Sequence, residues 1–292
     1  MPLWQVVVLG IVQGITEFLP ISSTAHLLLV QQFCFGRSQE ALEEDPITVV
    51  IQLGTLVSAL VYFRKDIAAI LAAFVSDLRH GRFISSGSVE GKLAKLFLIG
   101  SLPAGLAGLL LKKFLNLHFR NAQAIAIVAI VFALVMFLAE VYWKRRQKRG
   151  LTPRGDSQVG LFDALFVGTF QAFALMPGGS RSGCTLTAGL FAGLSRETAA
   201  RFSFLLMLPI MFAAGMKELY DWFKLLKAKP ELRAAASDQA VGLLVGTAVS
   251  AIVGYLAIAW LLGYLRKYSM NVFVIYRIVL GVGILIYLTT HQ

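Results

Sequence analysis

A helix that crosses a bilayer core of about 30 Å needs an apolar run of roughly 18 residues or more. This chain carries six such runs, at residues 46–63, 93–111, 121–143, 197–216, 239–265 and 270–288. Lipid offers the backbone no hydrogen-bond partners, so only helices and closed barrels cross it. The runs are continuous, not alternating, which excludes a barrel. Composition agrees: 15% of residues are charged, against about 25% in soluble domains, and mean hydropathy is +0.73. The expected fold is an all-α integral membrane protein.

The formal net charge is +11. The surplus sits in the loops between apolar runs, where topology explains it, so no nucleic-acid partner is expected. Cys34 and Cys184 lie in apolar context, with no metal or disulfide spacing. The first Lys or Arg is Arg37, so the basic start of a cleavable signal is missing and residues 3–19 are assigned to the mature fold. Residues 67–78 form a shorter apolar segment flanked by Arg64, Lys65 and Arg79, expected to lie at the membrane interface or partly inserted.

Two further apolar stretches break in the middle. Residues 3–30 are interrupted at Pro20-Ile21-Ser22-Ser23-Thr24, and residues 160–194 at Pro177-Gly178-Gly179-Ser180-Arg181-Ser182-Gly183. Proline removes a helix donor and pushes the preceding residue out of the helical region. Serine and threonine start a new helix. Each stretch therefore predicts half-helix, polar turn, half-helix, a re-entrant hairpin whose turn must be covered by protein or water.

The two stretches resemble each other: Gly10-Ile-Val-Gln13 matches Gly168-Thr-Phe-Gln171, and proline and serines follow in both. Each precedes three spans. An odd number of spans inverts the second copy, so the expectation is two inverted repeats, 1–150 and 158–292, with a binding site near the midplane. The basic residues Arg64, Lys65, Arg79, Arg82, Lys92, Lys144, Arg145, Arg146, Lys148, Arg149, Arg154, Arg266 and Lys267 fall on one side. Lys112, Lys113, Arg120, Lys224, Lys227, Lys229 and Arg233 fall on the other. The denser set is assigned to the cytoplasm, which leaves both termini extracytoplasmic.

The first turn carries Gln13 and Glu17 on one helix face, then Ser22, Ser23, Thr24 and His26. A carboxylate at membrane depth costs roughly 2.5–3.5 kcal/mol and needs a partner or metal. His26, one turn inside the second half-helix, is placed to act as acid or base. In the second turn, Gly178 and Gly179 let a ligand approach the backbone. Ser180, Ser182 and Thr185 add hydroxyls, and Arg181 a planar fork for phosphate oxygens. Two helix starts, an arginine and several hydroxyls predict a converging phosphate site, with Glu17 as metal ligand or base.

Each residue also has a purely structural reading. Arg181 is then a snorkelling surface residue, Glu17 a partner for a buried donor, His26 a core histidine, and Gln13 and Gln171 interhelical links. For Ser22, an N-cap role alone is favoured over chemistry, with Ser23 left to react. Glu140, beside Tyr142, Trp143 and Lys144, is assigned to the interface, and Arg277 is expected to pair internally, with a partner the sequence does not name. Cysteine-phosphatase spacing is absent, since Cys184 follows Arg181. The Ser-Arg…His pattern of phosphatidic-acid-type phosphatases fails at Thr187.

At these residues the chain resembles the undecaprenyl-diphosphate phosphatase family of the bacitracin-resistance type. Gln13 to Glu17 followed by Pro20 to His26 is similar to its first motif, and Pro177 to Thr185 to its second. Val50 to Gly54 and Glu197 to Pro209 also resemble family segments. Gln13 stands where glutamate is frequent, and Ala25 where glycine is common. The resemblance spans nearly the whole chain. It implies hydrolysis of undecaprenyl diphosphate, the carrier released in cell-wall polymer synthesis, with Mg²⁺ or Ca²⁺, on the outer side of the bacterial cytoplasmic membrane. It implies a site of Glu17, Ser23, His26, Ser180 and Arg181. The nucleophile, serine or water, and the assembly, monomer or homodimer, stay open. The competing expectation is a lipid-phosphate transporter or flippase, which shares this architecture but needs no positioned Glu17, Ser23 and His26.

Overall fold

The computed structural model describes residues 1–37, 46–82, 85–119, 121–228 and 240–290. Arg120, Lys229, Arg233 and Gln239 lie outside the described residues. The described chain is helical apart from turns and one isolated bridge between Arg154 and Leu194. In order, the helices are α1 (Leu3–Phe18), α2 (Ser23–Leu29), α3 (Pro46–Tyr62), α4 (Arg64–Arg79), α5 (Val89–Phe119), α6 (Ala122–Lys148), α7 (Leu161–Phe173), α8 (Arg181–Phe191), α9 (Arg196–Ala228), α10 (Ala240–Lys267) and α11 (Asn271–Thr290).

Five of these, α5, α6, α9, α10 and α11, are long and apolar enough to cross a membrane. Two outrun the apolar run that predicted them. α5 reaches 31 residues through Pro103, and α9 reaches 33 through Pro209. α3 holds 17 residues, about 26 Å at 1.5 Å per residue, slightly less than the bilayer core. Both interrupted stretches do break into helix pairs, α1–α2 and α7–α8, and 67–78 falls within α4.

α1 packs along α10, α7 along α5, α6 along α11, and α3 between α10 and α9. Small residues make the close crossings, the usual device where lipid is as apolar as the interface. A methyl at Gly10 would sit 2.8 Å from the Gly246 carbonyl, and one at Gly168 would sit 1.9 Å from the Gly100 carbonyl. The glycines that open the two matched segments are thus crossing points, and Gly168 has no slack at all. Gly168→Ala is expected to push α7 off α5 and lower the thermal midpoint of the detergent-solubilised protein by at least ~5 °C, from overpacking of ~1–3 kcal/mol. An unchanged midpoint contradicts the crossing.

The largest core cluster joins Phe18 and Ile21 at the first turn to Leu186, Leu190, Phe204, Leu206 and Leu261. Phe18 meets Phe204 edge to face at 5.8 Å. At the helix ends remote from the Arg181 turn, ion pairs fix the frame. Arg154 pairs with Asp163 (Nη1–Oδ2 3.1 Å), Arg201 with Asp66 and Asp156, and Arg266 with Glu197. Glu140 corrects the interfacial assignment: it is 1% exposed, accepts two bonds from Arg196 at 2.9 and 2.6 Å, and accepts the Met270 N–H at 2.9 Å. Burying a carboxylate demands such saturation. On α4, the Gly87 N–H and Lys95 hold the Asp77 carboxyl below the usual carboxylate range.

Candidate active site

α1 stops at Phe18 because Leu19, next to Pro20, is extended (ψ 145°). The chain then turns through Ser22 at φ 75° into α2. In the second hairpin it turns through Gly178 (φ 94°) and Ser180 (φ 67°) into α8. Ser22 and Ser180 are the described non-glycine residues with positive φ. Both occupy the N-cap of the second half-helix, and a strained backbone there has to be held by its surroundings. The two caps differ: Ser180 Oγ accepts the Gly183 N–H at 3.2 Å, whereas Ser22 makes no side-chain capping bond. The backbone turn of Ser22 shapes the site, not its hydroxyl as a cap.

The two turns meet. Arg181 Nη2 donates to the Glu17 carbonyl at 3.2 Å and to Glu17 Oε1 at 3.3 Å. Ser182 Oγ donates to the Leu19 carbonyl at 2.9 Å. On the other side of the carboxylate, Glu17 Oε2 accepts Ser23 Oγ–H at 2.7 Å and Gln13 Nε2–H at 3.0 Å. Gln13 is fully buried and also approaches Thr55 Oγ1 on α3 at 3.4 Å. Glu17, Ser23, Gln13 and Arg181 therefore form one connected polar cluster, as the sequence predicts. His26 stands a turn away in α2. Its Nδ1 donates to the Ser22 carbonyl at 2.7 Å, and its Nε2 lies 2.5 Å from Tyr276 Oη on α11.

The remaining expected residues frame this cluster. Ser180 and Ser182 are buried, their hydroxyls 3.4 Å apart. Thr24 is exposed beside the cluster. Thr185 is buried in the α8–α9 contact, bonded to the Arg181 carbonyl at 2.8 Å and to Ser203. The Gly178 and Gly179 carbonyls face Arg277, which donates to them at 2.8 and 3.1 Å. A methyl at Gly178 would sit 2.5 Å from the Ile125 carbonyl, so this glycine is required by both space and conformation.

Sequence reasoning missed the roles of Tyr276, Thr55 and Ser203, and it foresaw internal pairing for Arg277 without its partners. Arg277 is 1% exposed. It donates to the Ala129 and Pro20 carbonyls, both at 3.2 Å, besides those of Gly178 and Gly179. One guanidinium on the last helix thereby holds both turns. An ionisable residue inside an apolar span was the available signal; its carbonyl partners carry none.

The cluster is prepared for an anion. Arg181 Nε–H and Nη1–H are buried and have no partner among the described residues, although a guanidinium keeps five donors to satisfy. Gln13 Oε1 is likewise buried without a partner among the described residues. Such groups cost ~1–3 kcal/mol each if left unpaired. An oxyanion at Arg181 and a hard cation at Gln13 would satisfy them. No group of three or more His, Cys, Asp or Glu occurs among the described residues. The donors present are nonetheless the oxygen type that Mg²⁺ or Ca²⁺ takes, and Mg²⁺ routinely draws its other ligands from water and phosphate. The oxygen donors of Glu17 and Gln13 would suit such an ion.

These features define a polytopic helical membrane protein with a buried polar cluster where two interhelical turns meet. The chain belongs to the bacitracin resistance protein BacA family, whose model matches residues 6–283. It is 43% identical over 290 residues to an undecaprenyl-diphosphatase of Chlorobium limicola, covering 99% of this chain and 98% of that protein. It is 44% identical over 292 residues to an undecaprenyl-diphosphatase of Myxococcus xanthus, covering 100% and 91%.

Proposed function

We propose that the chain hydrolyses undecaprenyl diphosphate to undecaprenyl phosphate and inorganic phosphate at the junction of the two turns. The observation that carries this reading is Arg181, bonded across to Glu17 while two of its buried donors have no partner among the described residues. A transporter needs the arginine. It does not need Ser23 Oγ–H aimed at a carboxylate 2.7 Å away, an arrangement suited to activating a nucleophile.

Arg181 holds the terminal phosphate with the donors that Glu17 leaves free, Nε–H and Nη1–H. Ser23 Oγ attacks phosphorus as its proton passes to Glu17 Oε2, and undecaprenyl phosphate departs with the bridging oxygen. Water then cleaves the phosphoserine, giving its proton to His26, and Ser23 is restored as inorganic phosphate leaves. A bound Mg²⁺ or Ca²⁺ would neutralise diphosphate charge. Glu17 and Gln13 would hold it.

The proposed topology adds α3 to the five long helices as a sixth, shorter span, with α1–α2 and α7–α8 as re-entrant pairs. Two inverted repeats explain why α1 packs on α10 while its counterpart α7 packs on α5, and why α6 meets α11. The denser basic set then faces the cytoplasm, and the turns and both termini face outward. The protein works as a multi-pass component of the cytoplasmic membrane, with membrane lipid around it.

Two variants test the chemistry. Ser23→Ala is expected to cut phosphate release ~10³-fold or more, in line with loss of a nucleophile. If it keeps a tenth or more of the parent rate, direct water attack replaces the phosphoserine step. Glu17→Gln is expected to raise the Mg²⁺ concentration needed for half-maximal rate at least ~10-fold; an unchanged requirement removes Glu17 as a metal holder.

A further inference from the structure

We propose that Tyr276 is a positioning residue for His26, holding the ring so that Nε2, the basic nitrogen, keeps one orientation; this rests on the proton-carrying role given to His26 above. His26 Nδ1 lies 2.7 Å from the Ser22 carbonyl. A carbonyl only accepts, so Nδ1 carries the proton. Nε2 of the neutral ring is then an acceptor, and Tyr276 Oη at 2.5 Å donates to it. The two ring planes lie 11° from parallel with centroids 5.6 Å apart, so the hydroxyl meets the imidazole at its edge. The imidazole is thus held at both nitrogens, from α2 and from α11, 250 positions apart.

The arrangement matters because α2, seven residues continued by a π-helical turn at Val30–Cys34, starts from a strained turn. Rotamer freedom at His26 would otherwise turn Nε2 away. Second-partner hydrogen bonds of this kind select which imidazole nitrogen works. The tyrosine hydroxyl occupies the one lone pair of Nε2. Proton exchange between Nε2 and water then passes through the tyrosine hydroxyl: Oη gives its proton to Nε2 and takes one from water. The neighbouring Arg277 is spent on backbone carbonyls, which leaves Tyr276 as the α11 residue directed at the histidine.

The experiment uses the full chain in detergent with undecaprenyl diphosphate. It compares Tyr276→Phe, His26→Ala and the double variant, with imidazole ¹⁵N shifts recorded on the parent and Tyr276→Phe. Phenylalanine keeps the ring and removes the bond. The expected result is a ~10- to 100-fold lower kcat with KM within about twofold, no further loss when Tyr276→Phe is added to His26→Ala, and movement of the His26 Nε2 ¹⁵N shift on loss of its donor. Full activity in His26→Ala would overturn the histidine's role and the tyrosine's with it. A dead His26→Ala beside a fully active Tyr276→Phe, unaltered ¹⁵N shifts, or an equal loss in both backgrounds would overturn the tyrosine's role alone.

Discussion

Arg277→Leu is expected to destabilise the protein by roughly 3–5 kcal/mol and to abolish phosphate release. The leucine is nearly the right volume for an apolar span, so hydropathy alone predicts a gain. The loss arises from the backbone. Arg277 satisfies carbonyls of Pro20, Gly178, Gly179 and Ala129 in a fully buried position. Each acceptor left bare costs ~1–3 kcal/mol, softened where a water enters the vacated space. Both turns also hold serines at positive φ, Ser22 and Ser180, and strain of ~1–3 kcal/mol per site persists only while the surroundings impose it. Releasing the clamp lets each turn relax and separates Glu17 from Arg181. Arg277→Lys reaches fewer carbonyls from one point charge and should fall between the two. The measurement is a thermal or denaturant unfolding series on the solubilised variants. Parent-like stability in Arg277→Leu would contradict the clamp.

Arg181→Ala is expected to lower kcat/KM by at least ~10³-fold with little change in thermal midpoint. The separation follows from its bonds. Arg181 contributes two long contacts to Glu17, at 3.2 and 3.3 Å, while Nε and Nη1 contribute nothing to the described fold. Its free donors are held in readiness, and charge stabilisation in a water-poor site is worth several kcal/mol in the transition state. Arg181→Lys should recover little, because an ammonium cannot present the guanidinium's fixed set of donors to one phosphate. If Arg181→Ala unfolds the protein, the residue is a structural partner of Glu17. If it keeps near-parent turnover, the phosphate lies elsewhere.

What could be seen beforehand followed from local chemistry. Pro20 and Pro177 break helices wherever they stand in an apolar stretch, so both turns were legible, as was the need of a carboxylate at that depth for a partner or a metal, though not that Arg181 bonds to it. The long-range partners were not. Arg277 meets carbonyls, which every residue owns, and Glu140 meets Arg196, 56 positions away. Nothing in the neighbourhood of Tyr142 and Trp143 distinguishes a headgroup-facing glutamate from one saturated inside the bundle. Helix lengths also went astray. α5 and α9 continue past the apolar limit because a helix needs only backbone pairing to go on, while hydropathy marks only where lipid ends.

The most direct test is inorganic phosphate release from undecaprenyl diphosphate by the purified, monodisperse protein, with Mg²⁺ or Ca²⁺ and with excess chelator. Glu17→Ala, Arg181→Ala and their double variant are assayed alongside. The account predicts metal-dependent release by the parent, near-background rates in both single variants, and no further loss in the double, since residues of one site act as a unit. A well-folded parent that releases no phosphate in any metal, or single variants that keep parent-like rates, would contradict it.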